Sequence, residues 1–277
     1  MLNRIFRYSV GLGLAFGLVG ILFVVSCKKA PQQAPPATPK KSDAPKAETA
    51  APAAKPAPAA PKADANAPAA SAEEKHPDGW ELIPLTLPKP MFVGTPQSFQ
   101  GVTNLEKPLG KPRATFYAPK GTVNLAAGKA VKSSDEEPII GEIEMITDGD
   151  KEAADGSYVE LGPLLQHITI DLGSPCEIYA IILWHYHKQA RVYFDTIVQV
   201  ADDPDFINNV RTVFNNDDDN SSGLGTGSEM NYVETSEGKL IDAKGVRARY
   251  VRCYSRGNSS NDLNNYIEVE VFGKAVQ

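Results

Sequence analysis

From about residue 122 onward, the chain consists of short stretches rich in β-branched and aromatic residues, separated by clusters of turn-forming residues. The stretches span residues 166–172, 177–185, 193–201, 211–214, 231–235, 246–255 and 264–272. Gly173-Ser174-Pro175 and Asp202-Asp203-Pro204 are two of the clusters, and no long segment shows the 3.6-residue period of an amphipathic helix. Short strands at this spacing predict an all-β fold, an antiparallel sandwich or barrel.

This part of the chain is strongly acidic. Residues 121–277 carry 13 Lys and Arg against 26 Asp and Glu, a net charge of −13, whereas the whole chain carries −6. A nucleic-acid backbone requires neutralisation by Lys and Arg, so the charge argues against nucleic acid as a partner. A globular part of about 150 residues suffices for one hydrophobic core, which excludes a large multidomain enzyme.

The first 26 residues have the pattern of an export signal. Arg4 and Arg7 precede a stretch without charge that runs to Ser26, and Val24-Val25-Ser26-Cys27 resembles the lipobox of bacterial lipoproteins. We therefore expect Cys27 to be acylated and to anchor the chain in the outer membrane, at its periplasmic face or on the cell surface. The lipid would be the only membrane contact. The alternative is a membrane-spanning helix, which the glycines of the stretch disfavour.

Two segments of different composition follow the signal. Residues 27–75 comprise the acylated cysteine and a tether of mainly Ala, Pro and Lys, which cannot bury enough apolar surface to fold. Residues 76–120 combine eight prolines with apolar side chains such as Trp80 and Phe116. Since proline disfavours helices and central strands, we expect an extended strap on the domain or, equally, a second disordered linker. Residues 121–277 would form the domain itself.

Six short motifs occur in order along the globular part. They are Asn124-Leu125-Ala126 with Gly128-Lys129-Ala130-Val131, then Ile146-Thr147-Asp148-Gly149-Asp150, residues 168–173, residues 178–184, Tyr250-Val251-Arg252 and residues 267–273. In this order they resemble discoidin (coagulation-factor type C) domains and the related family 32 carbohydrate-binding modules. The resemblance implies a galactose-binding-like jelly roll of about eight antiparallel strands over residues 121–273. One departure is Tyr158, where the family usually has Trp.

The Asp148-Gly149-Asp150 turn is a candidate metal site. Carboxylates flanking a glycine can present several oxygens to a hard cation such as Ca²⁺, although Asp-Gly is also common turn chemistry. Many modules of the resembled family carry a structural calcium in this loop, completed by a Glu of the last strand. The resemblance therefore implies a structural calcium held by Asp148, Asp150 and Glu268, with carbonyls near Thr147 and Ile267.

Loops at one end of the expected sandwich are candidates for carbohydrate binding. Counting strand directions places loops 186–192, 215–228 and 256–263 at the same end. Saccharides offer apolar CH faces to aromatic rings and hydroxyl pairs to polar side chains. The candidate contacts are His185, His187, Arg191, Tyr193, Asn215, Asn216, Arg256, Asn258, Asn261 and Asp262.

Each of these residues also has a simpler interpretation. The Asn and Asp residues favour turns whether or not they bind anything. His185 can be an interior histidine, or can pair with His187 toward zinc, for which no third ligand is obvious nearby. The Asp217-Asp218-Asp219 run is either a solvated loop tip or a second, weak cation site.

No catalytic motif is present in the chain. It has neither a Gly-x-Ser-x-Gly elbow nor a His-Glu-x-x-His pair, so we predict a non-enzyme that binds carbohydrate or an envelope polymer. The alternatives are a structural or protein-interaction module, and a glycosidase or metal-dependent hydrolase, since unplaced carboxylates can still form a catalytic pair. For Cys176 and Cys253 we favour two free thiols, with a disulfide as the alternative that an exported location permits.

Overall fold

The computed structural model describes residues 76–91, 102–107 and 109–276, so the predicted signal, Cys27 and the tether lie outside the described residues. Within these ranges there are ten β-strands and one 3₁₀ helix, Ile143–Thr147. The strands are β1 (Trp80–Leu82), β2 (Tyr117–Pro119), β3 (Val123–Asn124), β4 (Val131–Ser133), β5 (Val159–Leu161), β6 (Gln166–His185), β7 (Ile197–Ala201), β8 (Arg211–Asn215), β9 (Lys239–Ser255) and β10 (Asn264–Ala275). No helix in the described part is long and apolar enough to cross a membrane.

The long strands β6 and β9 contribute to both layers of the fold. Their mutual register breaks between Asp171 and Cys176, where Gly173 adopts a φ of 90° that favours glycine. On one side of the break β6 pairs with β4, and β9 pairs with β7, which continues to β8. On the other side β6 pairs with β10, which also pairs with β3 and β5. All pairings are antiparallel, which confirms the predicted all-β antiparallel sandwich.

The main core lies between the two layers. Ile168, Ile170, Leu183, Val251 and Val269 are among its buried members. Their two-residue spacing along β6, β9 and β10 is the alternation expected of a strand with one face in the core. The opposite face of β10 is also buried, because the loop after the 3₁₀ helix covers it.

A second apolar cluster covers the outer face of β6 and β10. Ala180, Ile182 and Trp184 of β6 pack against Ile83 and Ala118, which come from the proline-rich segment. β1 and β2 of this segment pair with each other. Described residues from before position 120 therefore bury part of the sheet, while the limits of the strap stay a prediction.

Several predicted stretches differ from the strands found. Stretches 166–172 and 177–185 form one bent strand, and 193–201 is extended only from Ile197. Residues 231–235 make isolated bridges instead of a strand, because Asn231 pairs with Leu105 on one side and Val233 with Val192 on the other. Cys176 and Cys253 are free and buried, as expected, and burial raises the pKa of Cys253 to about 12.

Candidate functional site

The three loops that the strand count placed together are in direct contact. The backbone N–H of Phe194 donates to Gly257 O at 3.2 Å, and that of Arg256 donates to Phe194 O at 2.9 Å. The Arg256 guanidinium also donates to Ser221 O at 3.0 Å. The N–H of Ser259 also donates to Val192 O at 2.8 Å, so residues from loops 186–192, 215–228 and 256–263, together with Phe194, form one surface at this end of the sandwich.

The predicted contact of Tyr193 is wrong, and His185 takes the interior position that was its alternative, because both side chains are fully buried. Their rings stack with centroids 4.2 Å apart. His185 Nδ1 lies 3.1 Å from Glu234 Oε2, and Tyr193 Oη donates to Asn265 Oδ1 at 3.0 Å. The two residues form a polar layer beneath the loops, and burial raises the pKa of Tyr193 far above its ordinary value.

His187 is also buried and faces a different partner from His185. Its Nε2 lies 3.0 Å from Lys151 O, in the loop after Asp150. The two histidines therefore do not form the paired face that a zinc site requires. His187 instead connects the strand end to the acidic turn, so it too is corrected from a sugar contact to a structural residue.

The predicted asparagines mostly shape their own loops. Asn215, Asn216 and Asn258 are buried, and they hydrogen bond to Gly225 O at 2.8 Å, Thr196 N at 2.7 Å and Leu263 O at 2.8 Å. For Asn215 and Asn258 this corrects the predicted contact role, since turn chemistry accounts for their polar groups.

The other predicted contact residues lie nearer the surface, but they do not all line one site. Arg191 is half-buried on another flank, where its guanidinium lies 4.7 Å from the Tyr186 ring centroid and donates to Asn265 at 3.2 Å. Arg256, Asn261 and Asp262 are exposed. Of the ten candidates, Arg256 and Asn216 line the cleft described next.

A cleft of about 320 Å³, here called the loop-end cleft, opens between these loops. Six of its lining residues are Thr103, Phe194, Asp195, Asn216, Asp219 and Arg256. The Phe194 side chain is half-buried, and an Arg256 guanidinium nitrogen lies 3.7 Å from Asp195 Oδ2. The sequence analysis missed Thr103, Phe194 and Asp195. Phe194 could have been predicted from the sequence, because it follows Tyr193 and adjacent side chains of an extended stretch point to opposite sides.

Three carboxylates come together at the cleft and are held by their own loops. Oxygens of Asp195, Asp217 and Asp219 lie within 4.8 Å of one another. Asp217 accepts hydrogen bonds from the backbone of Ser221 at 3.1 Å and of Ser222 at 2.9 Å. Although burial opposes it, bonding from Ser222 holds the pKa of Asp217 below its ordinary value. Burial raises the pKa of Asp195, and the charge of Asp217 adds to this.

The predicted calcium ligands Asp148, Asp150 and Glu268 differ from one another in burial and in hydrogen bonding. Glu268 is fully buried, its Oε2 accepts the Gly149 N–H at 3.1 Å, and its Oε1 has no hydrogen-bond partner among the described residues. Asp148 and Asp150 are exposed, and their oxygens accept N–H groups two residues ahead, at 2.8 and 2.9 Å. Burial raises the pKa of Glu268 to about 8, with further contributions from Glu270 and Asp148. A buried carboxylate oxygen without a donor suits a hard cation.

A larger groove of about 540 Å³ lies between residues 106–113 and 232–240. Much of its charge is already paired inside the groove. Lys239 Nζ donates to Glu106 at 3.2 Å, and the Arg113 N–H donates to Glu237 at 3.0 Å. The exposed lining of the groove is mostly apolar, whereas that of the loop-end cleft is mostly polar.

No protein-family model and no curated protein matches the sequence. Among solved structures, a truncated AlyQ with CBM32 and alginate lyase domains shares 23% identity at a TM-score of 0.41, over 56% of this chain and 35% of that one. The CBM32 of AlyQ in complex with 4,5-unsaturated mannuronic acid shares 25% at 0.34, over 52% and 93%. SpX-3, a fucose binding module of Streptococcus pneumoniae, shares 19% at 0.39, over 54% and 96%. The chain thus spans about a third of the first of these structures.

Proposed function

We propose that this chain is a non-catalytic carbohydrate-binding module and that the loop-end cleft is its ligand site. The observation that carries the proposal is the placement of one half-exposed aromatic ring, Phe194, beside the exposed guanidinium of Arg256 and the carboxylates of Asp195 and Asp219. A sugar presents an apolar CH face and pairs of hydroxyls. The cleft offers a surface for the first and donors and acceptors for the second.

Each wall of the cleft has a distinct role in this proposal. The CH face of a sugar ring packs on Phe194, as apolar ligand surfaces do on aromatic rings. Arg256 donates to adjacent hydroxyl oxygens from its planar fork, while Asp219 accepts from a hydroxyl. Asn216 and Asp217 hold the loops in place through their hydrogen bonds, and such preorganisation reduces the entropy lost on binding.

The same contacts argue against a glycosidase. Hydrolysis of a glycosidic bond uses two carboxylates on opposite sides of the bond, about 5 Å or more apart. Oxygens of Asp195, Asp217 and Asp219 lie within 4.8 Å of one another, closer than this separation, and the oxygens of Asp217 accept hydrogen bonds from Ser221 and Ser222. A carboxylate whose oxygens already accept hydrogen bonds from its own loop does not reach a substrate.

The test is a glycan array on the full chain followed by calorimetric titration. Fucose, a chitosan oligosaccharide and a mannuronate oligosaccharide serve as starting probes. We expect Phe194→Ala and Arg256→Ala each to weaken binding by at least about tenfold, since each removes a principal contact worth more than about 1.4 kcal/mol. The matched control is Arg247→Ala, because Arg247 is an exposed arginine on β9 away from the cleft. The proposal fails if no glycan binds, or if both cleft variants bind as the wild type does.

We also propose a structural calcium ion at Glu268. Glu268, Asp148 and Asp150 would hold it with nearby carbonyls, and one oxygen of each aspartate accepts an N–H of the turn. The support is the buried, unpartnered Oε1 of Glu268. When bound, the ion would supply the positive charge that this buried carboxylate lacks and would fix the acidic turn on β10.

For the location of the module we propose acylation of Cys27 and anchoring in the outer membrane. A chain dominated by Ala and Pro between residues 28 and 75 would then act as a spacer. At about 3.1 Å per residue, such a segment reaches at most roughly 150 Å from the membrane. Metabolic labelling with a fatty-acid analogue, compared between the wild type and Cys27→Ala, tests the anchor.

A further inference from the structure

We infer that residues 102–107, here called the strap edge, complete the carbohydrate site and that ligand binding and docking of this segment are coupled. The inference rests on the function proposed for the loop-end cleft. Its starting observation is that Thr103 lines the cleft although it lies far in sequence from the other lining residues. One wall of the proposed site therefore belongs to the proline-rich segment and not to the sandwich.

The strap edge is attached by a short parallel bridge between Leu105 and Asn231. The Asn231 N–H donates to Asn104 O at 2.9 Å, and the Glu106 N–H donates to Asn231 O at 2.8 Å. The side chain of Asn231 adds a third bond, from Nδ2 to Thr103 O at 2.9 Å. Three hydrogen bonds to one residue thus determine where Thr103 lies.

Asn231 also connects the strap edge to the floor of the cleft. Its side chain is buried, and its Oδ1 accepts a hydrogen bond from Asn216 Nδ2 at 3.2 Å. Asn216 in turn accepts the Thr196 N–H at 2.7 Å. Both asparagines line the cleft together with Thr103, so the wall and the floor are joined through a single buried amide.

The docking of the strap edge is weaker than that of the part of the segment around Ile83. Ile83 is buried against β6 as part of an apolar cluster, whereas none of the residues of the strap edge is buried. Its ion pair, Glu106 with Lys239, is 3.2 Å long and exposed, and such pairs contribute little. Segments that bury few apolar side chains open locally at small free-energy cost.

Coupling between saccharide binding and docking follows from two properties of the strap edge: it lines the cleft through Thr103, and its docking is weak. A saccharide that contacts Thr103 binds better to the docked state than to the open state, so it shifts this equilibrium toward docking. Linkage is reciprocal, so a change that opens the strap edge lowers the affinity for the saccharide. The proline-rich segment is then a component of the binding site as well as a cover for the sheet.

The test compares two substitutions at one position of the full chain. Glu106→Pro removes the N–H that bonds to Asn231, while Glu106→Ala keeps that N–H and loses only the exposed ion pair. Both changes lie outside the sandwich, so the domain remains folded. With the strongest probe from the array, or with the chitosan oligosaccharide if several bind equally, we expect Glu106→Pro to weaken binding by about three- to tenfold and Glu106→Ala to weaken it by less than about twofold, because an exposed ion pair contributes little to docking.

Hydrogen exchange supplies a second readout. Without a saccharide, the Glu106 and Asn231 amides should exchange faster than that of Ile83, which donates to Phe116 O at 2.9 Å. The probe should slow the first two and leave Ile83 unchanged. The inference is overturned if Arg256→Ala loses binding while Glu106→Pro keeps it, or if the probe leaves the Glu106 amide unaffected. Unchanged binding by Arg256→Ala and Phe194→Ala, or no binding by the wild type, instead overturns the proposed function itself and the inference with it.

Discussion

Two acidic loops of this domain have similar composition and satisfy their carboxylates in opposite ways. In loop 217–222, three carboxylates lie within 4.8 Å with Asp195 included, yet Asp217 receives N–H donors from Ser221 and Ser222. In loop 148–151, the aspartates are exposed and cap their own turn, but Glu268 beneath them keeps a buried oxygen without a partner among the described residues. Both oxygens of Asp217 thus have N–H donors, whereas one oxygen of Glu268 has none among the described residues.

This difference shows that proximity of carboxylates is a poor criterion for a cation site. Repulsion among the clustered aspartates is offset by backbone N–H groups, so loop 217–222 holds its shape without an ion. A buried carboxylate oxygen without a donor costs free energy, and a bound cation removes that cost. We therefore expect calcium to act at Glu268 and not at the Asp217-Asp218-Asp219 run, although the run is the richer in acid.

The largest effect should come from adding calcium to the wild type and to Glu268→Gln. At about 100 times its dissociation constant an ion stabilises the folded state by about 2.7 kcal/mol, which raises the melting temperature of a domain of this size by roughly 5–10 °C. Glu268→Gln should melt at one temperature with calcium or with chelator, because the charged ligand is gone. Calorimetry measures both proteins.

The control for this measurement is Glu177→Gln. Glu177 also lies on a strand of the same layer, where it accepts a hydrogen bond from Tyr179 Oη at 2.9 Å, and it is remote from the acidic turn in sequence. This variant should keep the full response to calcium. A response that survives in Glu268→Gln, or none in the wild type, contradicts the assignment.

At Asp217 we expect an effect of intermediate size on stability, and we expect it to depend on pH and not on calcium. Hydrogen bonds lower the pKa of Asp217 in the folded state, so the unfolded chain binds the proton more readily. The stabilisation is therefore present above the unfolded pKa of about 4 and is lost as the pH falls below it. Asp217→Asn should cost about 1–2 kcal/mol at pH 7 and should flatten the acid limb of a stability profile.

Urea unfolding between pH 2.5 and 7 (about the range in which this carboxyl titrates), with and without calcium, measures that profile. Asp203→Asn is a useful comparison, because Asp203 also has its pKa lowered by backbone hydrogen bonds, from Asn208 and Ile207, in a loop outside the cleft. An Asp217→Asn variant with unchanged acid sensitivity would show that the loop is held by other contacts.

The sequence predicted the sandwich because the long strands carry a readable period. Ile168 and Ile170, and Val269 and Val271, alternate over enough residues to identify a core face. Strands β1 to β5 have two or three residues each, which is too short for any alternation to be seen. The second apolar cluster was predicted only as one of two alternatives, an extended strap, since Ile83 lies in a proline-rich segment without periodicity.

The site was harder to predict, because chain position gives the end of a strand but not the direction of each side chain. Loops were placed correctly by counting strands, whereas Tyr193 was expected at the surface and lies in the interior, and for His185 the sequence left both positions open. Glu234, the buried partner of His185, was not foreseen since a single Glu between Val233 and Thr235 has no distinctive pattern. Thr103 could not be predicted without knowing the path of the strap edge, which depends on hydrogen bonds to Asn231.

The smallest effect is expected at Asp219, and it separates the two acidic loops most cleanly. Asp219 is exposed and accepts one hydrogen bond, from the Ser221 N–H at 2.9 Å, so Asp219→Asn should change the free energy of unfolding by no more than about 0.5 kcal/mol. If the Asp195, Asp217 and Asp219 oxygens held calcium, this substitution would reduce the calcium-induced rise in melting temperature. If Glu268 holds the ion, the rise is unchanged, because the loop-end cleft and the acidic turn are satisfied independently. Calorimetry with and without calcium decides between the two, and a reduced rise in Asp219→Asn would mean that closeness of carboxylates, and not a missing donor, determines where the cation binds.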